Sequence, residues 1–233
     1  MAQQLSNTES GGLIVAVDGP SGTGKSTMCR ALAKRLDAKY VDTGAMYRVA
    51  TLAVLRAGID PADTAKVIDA TADLPLEVSD DPDSTQVLFA GEDVKAEIRG
   101  AEVTRHVSAV SAIPEVRVNL VELQRKLARE AGRAIVEGRD IGTVVLPEAP
   151  AKVFMTASAE VRAKRRYDQD VAAGREADFD AVLADVQRRD EADSSRATSP
   201  LKPADDAVLV DTSEMTPDEV LEALTGIVER SAR

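Results

Sequence analysis

A glycine-rich stretch near the N-terminus has the residue types and the spacing that bind nucleotide phosphates. The sequence Gly19-Pro-Ser-Gly-Thr-Gly-Lys-Ser26 matches the pattern G-x-x-x-x-G-K-[S/T]. Its glycines let the chain wrap so that backbone N–H groups point at phosphate oxygens, and the following helix N-terminus adds positive field. In this pattern Lys25 reaches the β- and γ-phosphates and the Ser26 hydroxyl ligates Mg²⁺. The stretch therefore predicts a site for a nucleoside triphosphate.

Two other nucleotide-binding patterns are missing from the sequence. A dinucleotide fingerprint needs Gly or Ala three residues after Gly24, where Thr27 stands. The Asn-Lys-x-Asp motif with which regulatory GTPases bind guanine is also missing, because neither Asn7 nor Asn119 precedes a lysine. These observations weaken the interpretation of the chain as a nucleotide-dependent switch.

Apolar runs alternate with helical periods along most of the chain, which is typical of a parallel sheet flanked by helices. The run Leu13–Val17 is continuously apolar, as a strand buried on both faces requires, and it leads into the glycine-rich stretch and a helix. Further strands are predicted at 39–41, 134–137, 152–155 and 207–210, and helices at 45–57, 114–131, 159–173, 179–192 and 217–229. Between residues 74 and 94, short alternating runs and turn formers predict a small antiparallel insert. The predicted fold class is α/β.

Two polar motifs follow predicted strands and could bind a second anion. Asp42-Thr-Gly-Ala-Met-Tyr-Arg48 follows the second strand, and Thr43 is expected to cap the helix that begins there. Gly138-Arg139-Asp140 ends the third strand, at the edge where open α/β sheets place their ligands. Farther on, residues 162–202 hold nine of the 29 lysines and arginines, which indicates a local field for phosphates. The alternative interpretations are an ordinary capped helix and a solvated basic face.

Composition excludes several functional classes. With 40 acidic and 29 basic residues the net charge is −11, which repels nucleic acids, and the absence of tryptophan removes a platform for stacked bases. A single cysteine, Cys29, and a single histidine, His106, exclude an intramolecular disulfide and a histidine-rich zinc site. Both are interpreted as structural residues. Neither a signal peptide nor a membrane span is recognisable, so a reduced, cytoplasmic location without membrane or nucleic-acid partners is expected.

These features together favour phosphoryl transfer, in which the protein mainly positions the reactants and neutralises their charge. A phosphate monoester is already deprotonated near neutral pH, because its second pKa is about 6. Such an acceptor needs no histidine base, which is consistent with a chain that has one histidine.

Five stretches resemble the bacterial cytidylate kinase family, a branch of the P-loop nucleoside monophosphate kinases. They are residues 18–27, 42–48, 91–94, 138–145 and 189–197, and the similarity runs from about Leu13 to the C-terminal helix. The resemblance implies ATP-dependent phosphorylation of CMP or dCMP with Mg²⁺, in pyrimidine nucleotide metabolism. It also implies the nucleoside monophosphate kinase fold, with a parallel core, an acceptor-binding insert and a short mobile lid.

The resemblance also implies roles for individual residues. The ATP phosphate loop would comprise Gly19, Pro20, Ser21, Gly22, Thr23, Gly24, Lys25, Ser26 and Thr27, with Arg162 over the adenine and Arg166 at the phosphates. Arg48, Arg139 and Arg189 would surround the acceptor phosphate and the transferring group. The remaining CMP contacts would be Thr43, Ser108, Arg117, Asp140, Asp193 and Arg196. Asp140 and Ser108 can accept from the exocyclic amine that distinguishes cytosine from uracil.

The resemblance and the residue pattern together predict the organisation of the chain. Residues 1–12 are expected to form a flexible tail and residues 13–233 a single kinase domain, and the protein is predicted to be a monomer. Within it, 13–43 and 132–233 form the core with a lid at about 160–177, and 44–131 form the acceptor-binding region with an insert at about 66–105. The alternatives are another small-molecule P-loop kinase, acting on UMP or a sugar acid, or a nucleotide-dependent switch.

Overall fold

The computed structural model describes residues 12–231. Five of its strands are β1 (Leu13–Asp18), β2 (Lys39–Asp42), β6 (Arg133–Gly138), β7 (Ala151–Thr156) and β8 (Val208–Asp211). They form one parallel sheet in the order β2-β6-β1-β7-β8. The predicted α/β class and all five predicted strands are confirmed, with β8 beginning one residue later than expected. The predicted tail, apart from Gly12, lies outside the described residues.

Eight α-helices accompany the sheet in the described part of the chain. They are α1 (Lys25–Arg35), α2 (Thr43–Arg56), α3 (Thr64–Thr71), α4 (Ala101–Ala112), α5 (Pro114–Ala131), α6 (Ala159–Ala172), α7 (Phe179–Ser195) and α8 (Pro217–Ser231). The sequence interpretation missed α3 and α4. The first has only eight residues and buries only Val67 and Thr71. The second owes its buried stripe to Val103, Val107 and Val110, and valine has a low intrinsic preference for helix.

A small antiparallel sheet confirms the insert predicted between residues 74 and 94. Its strands are β3 (Leu76–Val78), β4 (Val87–Phe89) and β5 (Glu92–Asp93). Val87 of this sheet packs with Val49 and Leu52 of α2, so the insert shares a hydrophobic core with the helix that follows β2.

The prediction that Thr43 caps α2 is wrong. The cap is Asp42, whose carboxylate accepts a hydrogen bond from the backbone N–H of Ala45 at 2.9 Å. The negative charge of this carboxylate also interacts favourably with the positive end of the helix dipole. Thr43 is instead the first helical residue, and its hydroxyl donates to the carbonyl of Glu137 at 2.7 Å. This bond joins α2 to the end of β6.

Both faces of the parallel sheet are buried, so its polar groups are expected at the edge where the strands end. Val15 and Val17 of β1 pack toward α1 and α8, whereas Ala16 packs on the opposite side with α2 and α5 residues. The three central strands end at Asp18, Gly138 and Thr156, and β2 ends beside them at Asp42. Because the strands are parallel, the loops that follow them meet at one edge. None of the helices found between residues 12 and 231 is long and apolar enough to cross a bilayer.

Candidate active site

The glycine-rich stretch forms a loop that packs tightly on neighbouring strands and helices. Gly19 has φ +146°, and a side chain there would place its Cβ 2.0 Å from the carbonyl oxygen of Met155 in β7. Gly22 has φ +83°, and its Cβ would lie 3.1 Å from the Cβ of Arg162 on α6. Only glycine adopts these conformations at such close approach without strain. Backbone packing therefore requires the glycines that the motif contains.

Lys25 begins α1 and its side chain is buried. Its ammonium donates to the carbonyl of Pro20 at 2.7 Å, so the lysine folds back across the loop. Burial and, to a smaller extent, the nearby positive charge of Arg139 lower the pKa of Lys25 to about 7, while Glu137 opposes the shift. An anion bound in the loop would restore the charged form.

Glu137 is a site residue that the sequence analysis did not assign. It lies at the end of β6 and is buried, and its Oε1 accepts a hydrogen bond from the Ser26 hydroxyl at 2.7 Å. Burial raises the pKa of Glu137, and the neighbouring Asp42 carboxylate adds to the increase. The available signal was a charged residue inside a strand predicted to be buried. Its role depends on β6 lying beside α1, which the sequence does not show.

A cleft of about 510 Å³ lies over the phosphate loop. Its lining includes six of the nine predicted loop residues together with several arginines from α6 and α7: Ser21, Gly22, Gly24, Lys25, Ser26, Thr27, Arg162, Arg165, Arg166 and Arg189. Gly19, Pro20 and Thr23 are not among the lining residues, and the Pro20 carbonyl is occupied by Lys25. The cleft has the size of a nucleotide-binding pocket and a positively charged wall.

A second cavity of about 80 Å³ lies between α2, α4, α5 and α7. All the residues that the resemblance assigned to the acceptor line it: Thr43, Arg48, Ser108, Arg117, Arg139, Asp140, Arg189, Asp193 and Arg196. In the sequence these residues are as far apart as Thr43 and Arg196. The fold therefore assembles in one place a set of residues that the sequence only suggested.

Three arginines line both cavities. Arg48, Arg139 and Arg189 are shared between the larger cleft and the smaller cavity. Burial, together with the charges of Arg189 and Arg139, lowers the pKa of Arg48 to about 10. Burial and Arg139 also lower the pKa of Arg189. Three mutually repelling guanidinium groups at one point are an arrangement that a phosphate stabilises.

Neighbouring groups hold two of these arginines in place. Arg48 donates to the Ile98 carbonyl at 2.8 Å and to the Thr104 hydroxyl at 3.0 Å, which ties it to α4 and to the segment before that helix. Arg139 donates through Nε to Asp193 on α7 at 3.1 Å.

The far end of the smaller cavity contains a buried ion pair. Arg117 on α5 is paired with Asp140, and each side chain is only 4% exposed. Arg117 also donates to the Ser111 carbonyl at 3.0 Å and lies 5.0 Å above the ring of Tyr47. The pair thus presents a carboxylate acceptor and guanidinium donors in a pocket screened from water. Such groups can distinguish bases by their hydrogen-bonding edges.

Asp18 connects the phosphate loop to the Gly138-Arg139-Asp140 motif. Its carboxylate accepts from the backbone N–H groups of Ile141 and Gly142, each at 2.8 Å, at the start of a π-helical turn (Ile141–Val145). Burial raises the pKa of Asp18 to about 6, even though the two N–H groups act in the opposite direction. This role was not predicted, although a charge at the end of an apolar strand was a visible signal in the sequence.

Two arginines of α6 occupy different environments. Arg162 is buried and paired with Asp190 of α7, whereas Arg166 lies at the cleft wall. Asp190 and Arg165 carried no role in the sequence analysis. Their partners lie on other segments, so local sequence offers no signal for them.

Comparison with known proteins identifies the family of the chain. A sequence model of the cytidylate kinase family matches residues 15–230. The cytidylate kinase of Corynebacterium glutamicum is 73% identical over 222 residues, which cover 95% of this chain and 96% of that protein. The cytidylate kinases of Rhodococcus opacus and Mycolicibacterium paratuberculosis are 64% and 57% identical, and in each case the match covers 94% of this chain and 96% of that protein.

Solved structures show the same fold at low sequence identity. An uncharacterized protein from Eubacterium ventriosum has a TM-score of 0.53 at 12% identity, covering 94% of this chain and 98% of that one. A gluconokinase from Sinorhizobium meliloti has a TM-score of 0.50 at 17% identity, covering 95% and 93%. Since the family match covers nearly the whole length, the chain belongs to the cytidylate kinase family.

Proposed function

We propose that the protein transfers the γ-phosphoryl group of ATP to CMP or dCMP, giving ADP and CDP or dCDP. The observation that carries this proposal is that the phosphate-loop cleft and the base-binding cavity share Arg48, Arg139 and Arg189. A donor and an acceptor that occupy the two spaces would meet at these guanidinium groups. Family membership supports the same reaction, because the similar proteins are themselves cytidylate kinases.

The donor site is proposed to comprise the phosphate loop and the lid arginines. Its residues are Gly19, Pro20, Ser21, Gly22, Thr23, Gly24, Lys25, Ser26, Thr27, Arg162 and Arg166. Backbone N–H groups of the loop would hold the phosphate chain, and Lys25 would move from the Pro20 carbonyl to the β- and γ-phosphates. Support for this site comes from the cleft that covers the loop.

The acceptor site is proposed to hold the phosphate and the base of CMP at opposite ends. Arg48, Arg139 and Arg189 would bind the phosphate, whose deprotonated oxygen attacks the γ-phosphorus while ADP leaves. Asp140, Arg117, Ser108 and Arg196 would contact cytosine, with Thr43 and Asp193 nearer the sugar. The buried Arg117–Asp140 pair supports this orientation, since it offers a desolvated acceptor for the cytosine amine.

Mg²⁺ is proposed to bind together with ATP. Among residues 12–231, no cluster of three His, Cys, Asp or Glu side chains could by itself hold a metal. Mg²⁺ in kinases, however, is held mainly by phosphate oxygens, water and one or two protein oxygens. The Ser26 hydroxyl and the Glu137 carboxylate, which are hydrogen-bonded to each other, fit that requirement. When bound, the ion would neutralise charge on the β- and γ-phosphates.

Closure of a lid at about 160–177 is proposed to complete the site. The core would comprise 13–43 and 132–233, and the acceptor-binding region 44–131 with its insert at about 66–105. Support comes from Arg166 and Arg175, which lie in the lid segment and line the cleft, and from Gly174, whose φ of +71° allows a sharp bend. Closure would bring these charges over the γ-phosphate and exclude water that could hydrolyse ATP.

We expect ATP binding at about pH 8 to take up close to one proton. The reason is that the pKa of Lys25 is lowered to about 7, so its side chain is mostly a neutral amine at that pH. The negative charge of a bound triphosphate would raise this pKa again. Calorimetric titration in buffers of different ionisation enthalpy measures the uptake. In Lys25→Met, the ATP binding that remains should proceed without this proton uptake. In the unsubstituted protein, the affinity for ATP should decrease as pH rises above 7. Equal enthalpies in all buffers would contradict the assignment.

The reaction itself is tested with an acceptor panel. ADP production from ATP is followed with CMP, dCMP, UMP, AMP and GMP in parallel. We expect CMP and dCMP to give the highest kcat/KM. Preference for UMP, or for a sugar acid assayed beside these nucleotides, would indicate another P-loop kinase. Slow hydrolysis unaffected by any monophosphate would indicate a switch.

We further propose that the protein acts as a monomer in the cytoplasm. Support comes from the lining of the two cavities, where one copy of the chain brings together all the proposed acceptor residues and most of the donor residues. The free, buried thiol of Cys29 is compatible with a reducing compartment. Light scattering after size-exclusion chromatography measures the mass, and a dimer would contradict the first part of this proposal.

A further inference from the structure

The phosphate loop is held from α6 through its carbonyl groups. Arg162 donates through Nη1 to the Ser21 carbonyl at 3.1 Å, and Arg165 donates through Nη1 to the Thr23 carbonyl at 3.3 Å. In a trans peptide unit the C=O and N–H groups point in opposite directions. Holding these two carbonyls toward α6 therefore constrains the direction of the N–H groups that follow them in the loop.

Asp190 fixes the guanidinium of Arg162. One carboxylate oxygen accepts from Nη1 at 2.9 Å and the other from Nη2, while Nε donates to the Ala157 carbonyl at 2.9 Å. The Arg162 side chain is only 5% exposed. With these bonds made, Nε and both terminal nitrogens of Arg162 are engaged with protein groups. Asp190 itself is not among the residues that line the cleft within the described part of the chain.

Thr212 fixes Arg165 in the same way from the other side. Its backbone carbonyl accepts from Nη2 at 2.6 Å and its hydroxyl from Nη1 at 3.2 Å. The Thr212 hydroxyl also lies 3.3 Å from the Thr23 carbonyl, and Thr212 is 1% exposed. The segment after β8 thus contacts the loop and Arg165 together.

We propose that Arg162 and Arg165, held by Asp190 and Thr212, are positioning residues that aim the phosphate loop. These four residues are named the outer clasp. The inference rests on the proposed function in assigning the loop to the donor. The resemblance implied that Arg162 lies over the adenine. The outer clasp would instead affect binding of the phosphate chain, whatever base is attached to it. Arg165 and Asp190 then influence donor binding through the loop.

Comparing ATP with inorganic tripolyphosphate tests this inference. Binding of each, with Mg²⁺ and without any acceptor, is measured calorimetrically for Asp190→Asn, Arg165→Met and the unsubstituted protein. We expect each substitution to weaken both ligands by the same factor, about tenfold, because each breaks hydrogen bonds of charged groups behind the loop. In the double variant Asp190→Asn/Arg162→Lys, the loss of binding free energy should be much smaller than the sum of the two single losses, since both residues act through one contact.

Two substitutions on the same helices serve as controls. Glu191→Gln removes an exposed charge beside Asp190, and Lys164→Met removes an exposed charge beside Arg165. Neither residue lines the cleft in the described part of the chain, so binding should stay within about twofold. Asp190→Glu, which keeps the charge, should recover part of the lost affinity. It also provides a readout if Asp190→Asn fails to fold in a thermal unfolding experiment.

The decisive observation is whether the losses of affinity differ between ATP, which has a base, and tripolyphosphate, which has none. Losses confined to ATP, with tripolyphosphate binding unchanged, would overturn the clasp and favour direct contact with adenine. Failure of the unsubstituted protein to bind tripolyphosphate would also overturn it, because the loop would then contribute little. Neither result depends on CMP, so failure of the proposed acceptor assignment, seen in the acceptor panel, remains distinguishable.

Discussion

Lys25→Ala is expected to lower kcat by about 10²–10³-fold, the usual effect of removing one preorganised charge from a developing anion. The side chain is buried at the first position of α1, and its ammonium already lies within the loop, bonded to the Pro20 carbonyl. In the proposed reaction it neutralises the β- and γ-phosphates as charge moves onto ADP. Steady-state turnover with saturating ATP and CMP measures the effect.

Lys34→Ala is the matched control for this substitution. Lys34 lies on the same helix but at its other end, half-exposed and paired with Asp83. Its removal should leave kcat within about twofold, because an exposed ion pair contributes little. If Lys25→Ala kept kcat within about threefold of the unsubstituted protein while remaining folded, the role assigned to Lys25 would be wrong.

The parts of the fold that were predictable are those encoded by contiguous residues. The unit from Leu13 to Arg35 was predictable because the apolar run of β1, the glycines and the amphipathic helix follow one another directly. The central strands β6 and β7 were predictable for a related reason, since each contains a run of buried apolar residues. Helices α3 and α4 were not, because a short or valine-rich helix is stabilised by packing that the sequence does not display.

The same division separates the predictable and unpredictable parts of the site. Motif residues such as Lys25 and Arg139 were visible because they follow strands. Glu137 and Asp190 were not, because their partners Ser26 and Arg162 are contributed by other segments, 111 and 28 residues away. The cap of α2 could not be predicted to the exact residue, because Asp42 and Thr43 are both common capping residues. In the structure Asp42 caps the helix, while the Thr43 hydroxyl is bonded to β6.

Asp140→Asn is expected to reduce the preference for CMP over UMP, measured as the ratio of their kcat/KM values, by at least about tenfold. A carboxylate only accepts hydrogen bonds, which suits the exocyclic amine of cytosine, whereas an amide can turn its NH₂ group toward the carbonyl oxygen of uracil. Asparagine is preferred to alanine for a structural reason. Asp140→Ala would leave Arg117 buried without its partner, a loss of about 3–5 kcal/mol in stability.

Asp193→Asn separates base recognition from a general disturbance of the cavity. Asp193 lines the same cavity and also loses one negative charge in the substitution, but it is paired with Arg139 and is assigned to the sugar. It should therefore lower kcat/KM for CMP and UMP together and leave their ratio unchanged. Because the two acceptors share the phosphate and the sugar, their ratio cancels every effect that does not reach the base. A ratio that Asp140→Asn leaves constant would place cytosine recognition elsewhere in the cavity, and a ratio that Asp193→Asn changes equally would mean that cavity shape, and not the Asp140 carboxylate, selects the base.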